Sequence, residues 1–211
     1  KENNCKKVIF AGRVNRPNFK YTKFDFQALY YLPKIIKGSK KGDSYIIKEI
    51  IKIFNKKNIK VIRQNFFNPE LTLRKGIFTK TKPDKTNQKD IILGKKVINT
   101  LNKNNVGQGI VISNNRIIAI EDIKGTDSML IRAHKVLKRM YKKKRVGILL
   151  KYPKVNQDLR IDLPTVGIKT LKKCADIGLK GIVLKSKQNI FIEKEKMITL
   201  ANKSKMFIAV K

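Results

Sequence analysis

Apolar positions recur along the whole 211-residue chain, and their spacing alternates between two rhythms. Short apolar runs predict strands at Lys7–Gly12 (KVIFAG), Lys60–Arg63, Gly109–Ser113 (GIVIS), Arg116–Glu121 (RIIAIE), Arg145–Leu150, Lys180–Leu184, Asn189–Ile192 and Met206–Val210. Longer segments with apolar residues three and four apart predict helices over Tyr45–Lys57, Asp90–Leu101, Thr126–Lys142, Thr165–Asp176 and Glu193–Ser204. Asp43 or Ser44 suits the cap of the first, Thr126 or Asp127 that of the third, and Thr165 that of the fourth, which stops near Gly178. Asn114-Asn115 between two apolar runs predicts a hairpin turn. Lys20–Pro33 is aromatic-rich and follows neither rhythm; over Lys20–Ile36 an amphipathic interfacial helix and plain core packing both fit.

The alternation of strands and helices predicts an α/β fold. The polar stretch Phe78–Lys89, with Pro83 inside it, reads as an interdomain linker. It separates the remainder of an N-terminal α/β domain, residues 1–77, from a C-terminal α/β domain, residues 90–211, with a mixed sheet covered by helices. One strand, one helix and a second strand cannot close a covered parallel sheet, so the first domain reads as incomplete.

Charge changes the picture only in part. Fifty basic residues stand against 15 acidic ones, a formal net charge of +35. Forty-one of the basic residues are Lys and nine Arg, and Ile (30) and Asn (18) are also abundant, as expected of AT-rich coding. A surface built to read phosphates or bases favours Arg, so the excess reads mainly as a solvated lysine surface. No stretch interleaves aromatics with Arg, and no nucleic-acid partner is expected; a basic RNA-binding module rests on the charge alone. No apolar run approaches the ~18 residues of a membrane span. Cys5 and Cys174 fit neither a disulfide framework nor a metal spacing, which suits a reducing cytosol.

Five of the 15 acidic residues fall at turn-like positions in one 42-residue stretch: Glu121, Asp122, Asp127, Asp158 and Asp162. Strand ends and helix starts in α/β sheets are ligand-binding places, and carboxylates clustered there hold divalent cations that polarise phosphoryl groups. Capping or surface pairing explains any one of them alone. His134, mid-helix and with no nucleophile nearby, reads as a structural or surface residue. Gly107-Gln108-Gly109 suits either a close backbone approach to a ligand or a strand entry. Arg13 and Arg16, around Pro17, suit either a phosphate or plain surface charge.

These residues also form an ordered set. AGRVNRP from Ala11, Gly42-Asp43, GQGIV from Gly107, EDIKGTD from Glu121, QDLRIDLPTVG from Gln157 and ADIGLKGI from Ala175 resemble the signature segments of the LpxI-type UDP-2,3-diacylglucosamine pyrophosphatases of lipid A synthesis. The resemblance runs through nearly the whole chain and is most specific from Gly107 to Gly181. It implies a Mg2+-dependent hydrolase that cleaves UDP-2,3-diacylglucosamine to UMP and 2,3-diacylglucosamine 1-phosphate, with water attacking the sugar-side phosphorus and the ligand held between two α/β domains. It implies catalytic carboxylates at Asp162, Asp158 and Asp127 and metal ligands at Glu121, Asp127 and Asp162. It places substrate contacts at Arg13, Gln108, Thr126, Arg132, Arg160 and Thr165. A cytoplasmic location with peripheral contact to the inner face of the inner membrane follows, as does a homodimer by family habit. The family opens with a glycine-rich strand-loop segment ahead of KVIFAG that this sequence does not contain, so an inactive relic is a further reading.

Overall fold

The structure is a computed structural model that describes residues 4–12, 23–39, 43–103, 107–142, 144–154 and 157–211, without the side chains of Ser39, Asp43, Ser44, Asn102 and Lys103. Arg13, Arg16 and Pro17 lie outside the described residues, and so does the capping role expected of Asp43 or Ser44. The chain forms two compact units: residues 1–68 with 158–162, and residues 69–157 with 163–211.

In the first unit, strand β1 (Lys7–Val8) pairs in parallel with β2 (Lys60–Val61), Lys7 opposite Lys60 and Val8 opposite Val61. Helices α1 (Phe26–Ser39) and α2 (Asp43–Lys56) lie between them in sequence. Ile51 of α2 is buried with Val61 and Ile62, and the Phe10 and Phe54 rings meet edge to face at 5.4 Å. Helix α1 occupies the stretch whose pattern was ambiguous. Its start is fixed by Asp25, whose Oδ1 accepts the Ala28 N–H at 2.6 Å, an N-cap bond one residue ahead of the helix.

The second unit is a three-layer α/β sandwich. Its elements are β3 (Gly76–Ile77), α3 (Lys85–Lys103), β4 (Gly109–Ser113), β5 (Arg116–Ile120), α4 (Gly125–Tyr141), β6 (Ile148–Lys151), β7 (Thr165–Val166), α5 (Ile168–Asp176), β8 (Gly181–Leu184), β9 (Ile190–Phe191), α6 (Lys194–Lys203) and β10 (Phe207–Val210). Six strands form one mixed sheet in the order β3-β10-β8-β6-β4-β5, while β7 and β9 pair separately. Strands β6, β8 and β10 are mutually parallel, and β4 runs antiparallel between β5 and β6. A mixed α/β fold is thus what the strand and helix rhythms led one to expect.

Alternation along the strands explains the layers. Val111, Leu149, Ile182 and Ile208 point to α4, α5 and α6, packing with Met129, Leu130, Leu171 and Met197. Their neighbours Ile110, Ile112, Leu150, Val183 and Phe207 point the other way, to Ile91 and Ile98 of α3. Strands covered on both faces read as unbroken apolar runs, which is why the sequence carried them so clearly. Helix α3 approaches closely at Gly94, where a Cβ would fall 2.6 Å from Ile112 Cδ1 and 2.9 Å from Leu150 Cδ1.

Three helix starts differ from expectation. Helix α3 begins at Lys85, inside the stretch read as polar connection, because Asp84 and Asn87 cap it reciprocally: the Asn87 N–H donates to Asp84 Oδ1 at 2.8 Å, and the Asp84 N–H to Asn87 Oδ1 at 3.3 Å. Helix α4 starts at Gly125 with Lys124 at its N-cap, so neither Thr126 nor Asp127 caps it. Thr165 is no helix start at all: it lies in β7 opposite Ile190, and Gly167 caps α5.

Candidate functional site

The topology gathers strand ends on one edge of the large sheet. Strands β5, β6, β8 and β10 all finish there, and β4 begins there. Carboxyl edges of α/β sheets are where ligands bind, since loops diverge there and helix N-termini point inward. Gly109 at the start of β4 faces Lys151 at the end of β6. The Glu121 N–H, just past β5, donates to Gly109 O at 2.9 Å, and the Tyr152 N–H to Gln108 O at 2.9 Å.

A polar chain is buried on this edge. Lys151 Nζ donates to Thr126 Oγ1 at 2.7 Å, and Thr126 Oγ1 donates onward to Glu121 Oε1 at 2.8 Å. Glu121 and Lys151 are each only 5% exposed. Ammonium, hydroxyl and carboxylate therefore form a directional relay in which Thr126 supplies one acceptor and one donor. Glu121 Oε2 and Gln108 Oε1 are buried and, among the described residues, have no hydrogen-bond partner. Glycine makes room for the carboxylate: a Cβ on Gly109 would collide with Glu121 Oε2, and one on Gly107 with the Glu121 carbonyl oxygen. Gly107 also holds a φ of +57°, which favours glycine.

Asn189 ties the surrounding loops. It is buried; its Nδ2 donates to the carbonyls of Lys151 at 3.2 Å and Pro164 at 3.4 Å, and its Oδ1 accepts the Lys185 N–H at 2.8 Å. Tyr152 is buried beside it in sequence with Lys151, and burial pushes its phenol up to about 12. The Lys185 ammonium lies 5.9 Å from the centre of that ring. Lys151, Tyr152 and Asn189 were not among the residues singled out from sequence. The one signal for Lys151 was a charged residue closing the apolar run Ile148-Leu149-Leu150.

The other candidates take varied places. Arg132 braces the loop after β5, with NH1 2.9 Å from Asp122 Oδ2 and 3.0 Å from Ser128 Oγ, and NH2 donating to Ile120 O at 2.8 Å. Asp127 is exposed and pairs with Lys173. Thr165 Oγ1 donates to Leu163 O at 3.2 Å. His134 is exposed on α4.

Asp158, Arg160 and Asp162 form a tight turn that belongs to the first unit. The Ile161 and Asp162 N–H groups both donate to the Asp158 carbonyl, at 3.1 and 3.0 Å. Arg160 grips the Asp158 carboxylate as a fork, Nε to Oδ1 at 2.9 Å and NH2 to Oδ2 at 2.7 Å. That guanidinium holds the Asp158 carboxyl below the ordinary aspartate value. Asp162 is half-buried.

Among the described residues, no three His, Cys, Asp or Glu side chains gather to hold a metal ion. Within the second unit Glu121 Oε1 is engaged by Thr126 and Asp127 by Lys173, while Glu121 Oε2 has no hydrogen-bond partner among the described residues. Mg2+ acting on phosphates commonly uses one or two carboxylates together with the phosphates themselves. Among the described residues no helix is long and apolar enough to cross a membrane.

Residues 1–71 match the LpxI N-terminal domain and residues 74–209 the LpxI C-terminal domain. The chain is 32% identical over 206 residues to the UDP-2,3-diacylglucosamine pyrophosphatase LpxI of Caulobacter vibrioides, a match covering 97% of this chain and 74% of that protein.

Proposed function

The chain belongs to the LpxI family, and from that premise we propose that it hydrolyses the pyrophosphate of UDP-2,3-diacylglucosamine, giving UMP and 2,3-diacylglucosamine 1-phosphate in lipid A precursor metabolism. The observation that carries the reading is the buried Lys151–Thr126–Glu121 relay on the carboxyl edge of the sheet. A buried ammonium beside the first turn of a helix favours a phosphate oxygen, through its own charge and the helix N–H groups.

In this reading Lys151 and the Thr126 hydroxyl hold a phosphoryl oxygen, and Glu121 orients Lys151 through Thr126. By likeness to the family Asp162 is a further catalytic carboxylate, and in its own turn Arg160 holds Asp158. Water bonds to the sugar-side phosphorus, the bridging P–O bond breaks, and UMP leaves with the bridging oxygen. Charge on the transferring phosphoryl group is the main thing to stabilise in such a step. Mg2+, arriving with the substrate, would neutralise phosphate charge.

The test is UMP release from UDP-2,3-diacylglucosamine by this chain, by Asp162→Ala and by Lys151→Met, with and without Mg2+. Mg2+-dependent release that Asp162→Ala abolishes and Lys151→Met lowers about 100-fold supports the reading. A folded wild-type chain that releases no UMP under any of these conditions sinks it.

A further inference from the structure

Helix α1 is apolar on two opposite sides. Its inner side packs on α2: a Cβ on Gly38 would fall 2.5 Å from the Tyr45 ring, and Tyr31 and Ile35 line a crevice with Ile53. At 3.6 residues per turn, Phe26, Leu29, Tyr30 and Pro33 share the outer side, within an arc of about 100°. Phe26 is 92% exposed, Tyr30 67% and Leu29 51%. A surface helix ordinarily turns a polar face outward, so a contiguous stripe of large apolar side chains in water marks a contact surface.

Charge indicates the partner. Lys34 borders the stripe and Lys37 closes its C-terminal end; both are exposed, with the Lys34 ammonium 5.8 Å from the Tyr30 ring centre. From Lys23 to Lys57 the sequence holds nine lysines against three acidic residues. A second copy of this chain would bring the same positive surface against itself, which like-charge repulsion opposes. RNA contacts favour the planar fork of Arg, and α1 has no Arg. Lysines bordering Phe, Tyr and Leu match a bilayer interface, where apolar groups sink below the headgroups and ammonium groups meet anionic lipid.

We propose that the outer stripe of α1 is a membrane-docking surface that lies flat in the headgroup layer of an anionic phospholipid bilayer, with Phe26, Leu29 and Tyr30 inserted and Lys34 and Lys37 on the headgroups. This rests on the exposed stripe and its lysines, and does not require the hydrolase reading.

The experiment is co-sedimentation of this chain with vesicles of phosphatidylethanolamine and phosphatidylglycerol, and with vesicles of phosphatidylcholine alone. Wild type is compared with Phe26→Gln/Leu29→Gln, whose exposed positions leave circular dichroism and the unfolding midpoint unchanged. Because the overall positive charge attracts anionic vesicles by itself, the decisive condition is about 1 M salt, where the Debye length is about 3 Å. There, wild type stays on phosphatidylglycerol vesicles and the double variant partitions about tenfold less. Equal partition of the two proteins, or release of wild type at that salt, overturns the proposal. A dimer in sedimentation equilibrium that the double variant breaks, with no effect on vesicle binding, assigns the stripe to a second copy instead. An RNA oligomer that the stripe variant no longer binds, with vesicle binding unchanged, assigns it to nucleic acid.

Discussion

The ammonium of Lys151 lies 2.7 Å from the hydroxyl of Thr126, and this one contact joins the end of β6 to the first turn of α4. Among the described residues the other two N–H bonds of Lys151 have no partner. A buried ammonium with one hydrogen bond is poorly compensated, and Glu121 reaches it only through Thr126. In the reading proposed above, a phosphate oxygen would complete the arrangement. Lys151→Met keeps the Thr126–Glu121 bond and much of the volume while removing the charge. UMP release should fall by about 100-fold, in line with loss of one oriented cationic donor, with the thermal midpoint little changed. Parallel assays and thermal melts decide it; undiminished release would take Lys151 out of the site.

Gly109→Ala tests the same cluster from the strand side. The added methyl would meet Glu121 Oε2 and lie 3.3 Å from Met129 Cε. The carboxylate is the softer of the two neighbours, so it moves and loses Thr126. Activity should drop more than about tenfold while the core, where Met129 gives by only a few tenths of an ångström, loses about 1 kcal/mol. A urea titration beside the UMP assay separates the two effects. A variant that loses stability and activity in step would assign Gly109 to packing alone.

Much of this was legible in the sequence, and the misses share a cause. The β4–β5 hairpin was readable because Asn114 and Asn115 tolerate the positive φ angles of +49° and +61° that they adopt. The unbroken apolar strands were readable because both faces of the sheet are covered. Helix α1 was ambiguous because apolar residues on opposite sides erase the 3.6-residue contrast, and Pro33 sits inside it. Thr165 was misassigned because β7 exists only through pairing with β9, a contact no local pattern encodes. Lys151 was one lysine among 41; its burial follows from the register that sets it opposite Gly109, far away in sequence. Glu121, at the end of a predicted strand, is set against Thr126 at a helix start.

The Asp158–Arg160 fork gives a pH signature. Arg160 holds the Asp158 carboxyl below its ordinary value of 3.8. A depressed folded-state pKa stabilises the fold above 3.8, and the contribution fades as pH falls through the lower folded value. Arg160→Gln should therefore be less stable than wild type at about pH 6, with the gap narrowing below the ordinary aspartate value. The guanidinium is 40% exposed, so water screens the pair and the gap is small. Urea midpoints across the acid range would show it; a gap that widens toward acid contradicts the fork.

The direction of water attack is open to isotope labelling. Hydrolysis in 18O-enriched water should place the label in 2,3-diacylglucosamine 1-phosphate and leave UMP unlabelled. Mass spectrometry of the two products reads it directly. Label in UMP would mean that the phosphorus on the nucleoside side is attacked, and the roles given to Lys151 and Thr126 would have to be reassigned.

Asp90 is fully buried on α3 and far in sequence from the turn it holds. Its Oδ1 accepts the Asn115 N–H at 2.6 Å, while Oδ2 is buried and, among the described residues, has no hydrogen-bond partner. Burial raises the carboxyl above its ordinary 3.8, against the pull of the turn N–H groups. For a raised carboxyl the sign is opposite to that of Asp158. The ionised form is penalised in the fold above the raised value, and the penalty vanishes below 3.8, where both states are protonated. Asp90→Asn keeps an acceptor for Asn115 and removes the charge. Its stability relative to wild type should therefore improve as pH rises from about 3 to 7. Asp90→Ala leaves the Asn115 N–H without its acceptor and should lose about 1–3 kcal/mol. The Asn114-Asn115 turn is at the opposite end of the β4–β5 hairpin from Gly109 and Glu121. Both variants should thus keep the wild-type rate of UMP release well below their melting points. Urea unfolding at several pH values checks the first two expectations. An Asn variant that loses ground as pH rises would mean that the ionised carboxylate is stabilised in place rather than penalised.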